Sequence, residues 1–218
     1  MRKTAKQLGL PVANDVGAAP AKAFCHRNRH GVAYYLHRGT TRTGKPRYFF
    51  AKTIGESPLT ELPAGWEVAE SVNGVVTVRK ADPAKAIPPA DLSLVRDALD
   101  RDPVGRQCVV EAKGGAIIIH EPEGGSVPIR GDLAQLSKTL GLLPSEATAY
   151  FEAMSRNARY TPVMKFEPAF VGRAGEYLAH RRSYRGDGGW LALSHGSLDS
   201  LVKKYVRHIA RESFFELM

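Results

Sequence analysis

The stretch Val32 to Phe50, VAYYLHRGTTRTGKPRYFF, carries five aromatic rings and four cationic side chains in nineteen residues. Guanidinium and ammonium groups neutralise phosphates, and flat rings stack on unpaired bases. The spacing gathers Arg38, Arg42, Lys45 and Arg47 near the end of one hairpin, with Lys52 further along. Lys22, Arg27 and Arg29 approach from the N-terminal side. Tyr35 and Tyr48 are the rings best placed in the sequence to stack. The partner expected is the backbone of DNA or RNA, since a two-stranded ribbon also fits the major groove. Binding of this kind is weak, salt-sensitive and poor in sequence preference. The same residues have a plainer use, because Tyr and Phe favour strands and charges at a hairpin tip keep an edge soluble.

Other groupings point to other chemistry. Cys25-His26, His30 and His37 offer thiolate and imidazole, the ligands of zinc. The spacing lacks the tight second cysteine of a structural zinc site, and Cys108 is remote, so no metal is expected here. Asp102 followed by Glu111-Ala112-Lys113 matches the skeleton of many magnesium-dependent nucleases. There carboxylates hold the metal and the lysine aids the attacking water. Magnesium is expected only under that alternative; the leading reading is a non-enzymatic binding protein that needs no cofactor. Ser194 and His195 are adjacent on an expected strand, so their side chains diverge and direct proton transfer is disfavoured. Arg181-Arg182 with Tyr184 and Arg185 forms a second basic-aromatic group. The Arg-Gly-Asp triplets at 130–132 and 185–187 read as turns. Gly186, Gly188 and Gly189 lack the strand–turn–helix setting of a phosphate loop.

These residues need elements to hold them. Residues 1–22, rich in Ala, Lys, Pro and Gly, read as a mobile basic arm. Residues 23–80 read as a small antiparallel β domain. Its strands are expected over 31–38, 46–52, 66–72 and 75–80. A two-residue Asn73-Gly74 turn would set Glu67 opposite Lys80. Residues 81–90 hold three prolines after Ala81 and read as a linker. Residues 91–218 read as an α+β domain. A helix starts at Asp91, and a hairpin turns at Gly114-Gly115. Helices follow over 132–140 and 144–156, then strands over 161–166, 176–184 and 189–194. Leu198, Leu201, Val202, Tyr205 and Ile209 stripe a C-terminal amphipathic helix behind Ser197. Antiparallel hairpins with segregated helices make the fold class α+β.

The charge is lopsided. Residues 1–52 hold eleven Lys/Arg against Asp15 alone and carry +10, while 53–218 carry −1. A concentrated positive field attracts polyanions over a Debye length of ~8–10 Å. An acidic protein is the other partner such a field would meet, with a further protein partner for the C-terminal domain. The apolar fraction of 43% is that of a globular chain, and no apolar run nears the ~20 residues of a membrane span. No membrane contact is expected. Leu8 to Ala19 is broken by Pro11, Asn14, Asp15 and Gly17, so it does not read as a secretion signal. With two distant cysteines, the expected location is the reducing cytoplasm.

Two segments resemble a group of uncharacterised bacterial proteins of about this length. They are YYLHRGTTRTGKPRYFF with GWEVAESVNGVVTVRK, and the end, GGWLALSHGSLDSLVKKYVRHIARESFFELM. The resemblance implies a free-standing bacterial protein and assigns no functional residue. The first hairpin is also similar in style to the small sheets with which tyrosine recombinases grip DNA, a likeness of shape and charge.

Overall fold

The computed structural model describes residues 23–123, 133–169, 175–183 and 188–217. The chain divides into two compact units, Met1–Ala81 and Asp82–Met218.

The first unit holds β1 (Cys25–Arg27), β2 (Ala33–Thr40), β3 (Pro46–Ala51), β4 (Trp66–Glu70) and β5 (Val76–Lys80). The first three form an antiparallel sheet with β2 in the centre, and β4 pairs with β5. The three hairpin loops share one construction. Each is a five-residue frame, Asn28–Val32, Thr41–Lys45 or Ser71–Val75, closed by an N–H of its first residue on the carbonyl of its last, at 3.0, 2.8 and 3.0 Å. The fourth residue is a glycine at φ +77° (Gly31), +77° (Gly44) or +73° (Gly74), a conformation open to glycine at little cost. The first side chain accepts the N–H of the fifth residue, at 2.9 Å for Asn28 Oδ1, 3.1 Å for Thr41 Oγ1 and 3.2 Å for Ser71 Oγ. This is the three-residue hairpin loop with a left-handed glycine.

That construction changes the register expected from Asn73-Gly74. The loop spans Val72, Asn73 and Gly74 rather than two residues, so Glu67 faces Arg79 and Trp66 faces Lys80. The cross-strand ion pair is Arg79 Nε to Glu67 Oε1 at 2.6 Å.

In the second unit, α1 (Pro89–Arg101) precedes β6 (Val109–Lys113) and β7 (Ala116–Pro122). Then come α2 (Leu133–Leu140), α3 (Pro144–Asn157), β8 (Tyr160–Pro168), β9 (Glu176–Arg182), β10 (Trp190–Ser197) and α4 (Leu198–Tyr205). The five strands form one antiparallel sheet, ordered β10-β9-β8-β7-β6. Lys113 faces Ala116, so the Gly114-Gly115 turn has the two-residue length expected. One face of the sheet, with Val110, Ile117, Ile119, Met164, Phe166 and Ala179, meets Val95 and Leu99 of α1 and Leu201, Val202 and Tyr205 of α4. Each Val, Leu, Ile, Phe or Met side chain among them contributes about 1.5–3 kcal/mol when taken from water.

Several expectations shift at their edges. The residues read as a linker are partly ordered: Pro83–Lys85 is a 3-10 turn and α1 begins at Pro89, two residues before Asp91. Proline suits the first helical position because its missing N–H has no partner there. At the other end Ser197 caps α4, accepting from Ser200 N at 3.3 Å. The α-helix ends at Tyr205 and tightens into a 3-10 turn, Val206–His208, so Ile209 is buried from beyond the helix. Leu140, the last residue of α2, is 44% exposed.

Candidate functional site

The three like-built loops of the first unit have different fates. Asn28 Nδ2 donates to Gly74 O at 2.8 Å, and His30 Nε2 donates to Asn73 O at 3.2 Å. Arg29 donates from its backbone to Glu70 Oε1 at 2.6 Å and from its guanidinium to Val72 O. His26 Nε2 meets Glu70 Oε2 at 2.8 Å. The first loop is thus fastened to the third. The loop Thr41–Lys45 is exposed from end to end, and a Cβ added at Gly44 would meet nothing within 4 Å.

The ribbon carrying this loop is two-stranded at its far end. β1 pairs only with Ala33 to Tyr35 of β2. The chain at Ser57 to Leu59 continues along the same edge, through Leu59 N to Leu36 O at 2.8 Å and Arg38 N to Ser57 O at 3.3 Å. Beyond Arg38, β2 and β3 pair only with each other among the described residues.

The five cations expected to meet phosphate, Arg38, Arg42, Lys45, Arg47 and Lys52, are all exposed. Among the described residues none of them is within ion-pair reach of a carboxylate. Register places them around the ribbon rather than on one side. Arg38 faces Tyr48 on one surface, while Arg47 faces Gly39 on the other, and Arg42 and Lys45 lie in the loop between. Phosphates on both walls of a groove, or a strand wound over the tip, would meet such a girdle.

The rings require a correction. Tyr35 is 6% exposed, so neither side of its ring can receive a base. Tyr48 is half-buried and set edge-on to Trp66, with centroids 5.0 Å apart and planes at 73°. The ring that residue spacing missed is Phe49, 38% exposed on the Arg47 surface. It stacks on His37 at 5.4 Å and 23°, and the Arg47 guanidinium stands over it at 5.8 Å.

The alternative groupings are not assembled. Asp102 ends α1, accepting from Val104 N at 3.0 Å and pairing with Arg211 Nη2 at 2.6 Å. It lines a groove of about 810 Å³ between α1 and α4 with the turns that follow it, together with Arg101, Lys203 and Arg207. Glu111 alternates with Val110, so it lies on the sheet face opposite the one α1 covers, 3.1 Å from His120 Nε2. Lys113 is exposed at the hairpin end. Asp102 therefore stands on the other side of the sheet from Glu111 and Lys113, and the nuclease skeleton does not converge. Among the described residues no three His, Cys, Asp or Glu side chains come together as a metal would require. His37 Nε2 donates to Thr53 O at 3.1 Å, so the first histidines serve separate bonds. Ser194 Oγ bonds Tyr205 Oη at 2.7 Å, away from exposed His195.

The sheet face bearing Glu111 is polar. Glu111 has His120, and Glu167 takes Lys165 at 2.9 Å and His180 at 3.2 Å. Burial and then the Lys165 charge lower the pKa of His180, with Glu167 opposing, so its ring is held neutral. Arg182 and Lys165 lie over Trp190, at 5.8 and 5.0 Å. Arg181 turns to the opposite face and donates to Leu217 O at 2.6 Å. Tyr184, Arg185, both Arg-Gly-Asp triplets and the arm with Lys22 lie outside the described residues. Among the described residues no helix is long and apolar enough to cross a membrane.

No protein-family model matches the chain, and neither a curated protein nor a solved structure matches it.

Proposed function

We propose that the protein binds nucleic-acid backbone through the far end of the β2–β3 ribbon. The observation that carries this reading is the fate of the three loops. Two are spent on each other, while the one bearing Arg42 and Lys45 is left in water, flanked by Arg38 and Arg47 and without a carboxylate partner among the described residues. A cation exposed without a partner keeps its full attraction for phosphate. One already paired would first have to give up its carboxylate. In this reading Arg38, Arg42, Lys45, Arg47 and Lys52 each neutralise a phosphate, and no base edge is read.

The test is an anisotropy titration with labelled DNA and RNA at two salt concentrations. Neutralising five phosphates gives a log–log salt slope of about −4.5 on a duplex and about −3.5 on a single strand. Binding should therefore weaken roughly five hundredfold on a duplex and roughly a hundredfold on a single strand between ~50 and ~200 mM salt. The triple reversal R42E/K45E/R47E should abolish it while the thermal transition stays in place. Binding that ignores salt, or survives the reversal, removes the ribbon from the reading. Copurification of an acidic protein in place of nucleic acid would reassign the surface.

A further inference from the structure

We propose that the exposed ring of Phe49 takes an unpaired base, so that single-stranded nucleic acid is the preferred ligand of the ribbon. The proposal rests on the backbone-binding reading above and adds a second kind of contact to it. Phe49 is 38% exposed, whereas Tyr35 of the same hairpin surface is 6% exposed. Phenylalanine has no polar tip for water to reward, so exposing that ring costs free energy that a base would recover. The ring is braced, because His37 stacks against it and is itself only 4% exposed and bonded to Thr53 O at 3.1 Å. A ring held in place loses little freedom when a base settles on it.

The surroundings suit the second half of a stack. The Arg47 guanidinium stands 5.8 Å from the ring centroid, at the outer limit of about 6 Å for a cation on a ring. Guanidinium planes stack on bases as aromatic rings do, so a base displacing this loose contact keeps Arg47 as a neighbour. Gly39 faces Arg47, and a Cβ there would sit 3.3 Å from the Phe49 ring. Any other residue at 39 would press on the platform. The ribbon's remaining cations, Arg42 and Lys45 in the loop and Arg38 on the reverse surface, are left for flanking phosphates. Bases in a duplex already stack on each other and would have to be pulled out at a cost, which sets the preference for single strands.

The experiment uses the full chain and three labelled probes: a twelve-residue oligo-dT, an abasic strand of the same length, and a duplex. The abasic strand has the phosphates without the rings. Wild type should bind oligo-dT about five- to a hundredfold more tightly than the abasic strand. F49L should bring oligo-dT down to the abasic level, and F49W should restore the gap. Equal binding of oligo-dT and abasic strand by wild type overturns the stacking proposal and needs no variant to fold. A gap that persists in F49L overturns it as well. In either case abasic binding that is lost in R42E/K45E/R47E leaves the backbone reading standing. If wild type binds none of the probes, both fall.

Discussion

Cys25 and Cys108 carry the same thiol in opposite settings. Cys25 is exposed on β1, whereas burial, then the charges of Glu121 and Asp102, push the Cys108 thiol up to about 12. Only the thiolate attacks an alkylating agent. At pH 8, iodoacetamide should therefore add one group to the native protein, at Cys25, and reach Cys108 only in denaturant. Mass spectrometry of the tryptic peptides decides it, and native labelling of Cys108 would contradict the packing. The same contrast of setting over type separates Tyr35 from Phe49. Both are aromatic, two rows apart on one surface of the hairpin, yet one is core and the other meets water. Residue type marked the hairpin as cationic and aromatic. Tyr35 lies where β1 runs alongside β2, opposite Cys25, and Phe49 lies beyond that pairing, which nothing in the strand's own alternation reveals.

At the scale of elements, the three five-residue loops make a paired prediction. Gly44 and Gly74 hold nearly the same φ, +77° and +73°, so alanine at either is strained by about 1 kcal/mol. They differ in surroundings: a Cβ at Gly44 is in open space, and one at Gly74 would stand 2.3 Å from the His30 ring. G74A should cost about 1–3 kcal/mol more than G44A, because it also pushes the first loop off the third. Urea denaturation of the two variants measures the difference, and equal costs would mean that the loops are not fastened. Loop chemistry also sets what was legible. Gly114-Gly115 between β-branched runs admits one reading, and the strands pair as expected. Asn73-Gly74 admits two, and the choice rests on Ser71, whose hydroxyl closes a frame one residue longer. A dipeptide signal fixes that a chain turns; the residue two before it fixes the register. In the C-terminal stripe, Leu198, Leu201, Val202 and Tyr205 are buried on α4, while Ile209 keeps helical spacing and is buried after the helix has tightened into a 3-10 turn.

For the molecule as a whole, the two units differ in charge as much as in architecture. Residues 1–81 hold thirteen Lys/Arg and five Asp/Glu, a net +8, whereas 82–218 hold eighteen and seventeen, a net +1. The larger unit contains a complete five-stranded sheet and an apolar cluster drawn wholly from its own residues. A core that needs no side chain from outside should survive separation. A fragment of residues 82–218 is therefore expected to unfold in one cooperative thermal transition, with near-UV circular dichroism marking fixed tertiary packing. With a net charge near zero, it lacks the field that attracts a polyanion. Its affinity for the oligonucleotides bound by the full chain should fall below detection at ~50 mM salt. A folded fragment that still binds with the full chain's salt slope would move the site off the β2–β3 ribbon and into the second unit. A folded fragment that binds nothing, beside a full chain that does, keeps the contact in the first 81 residues, which carry the net +8.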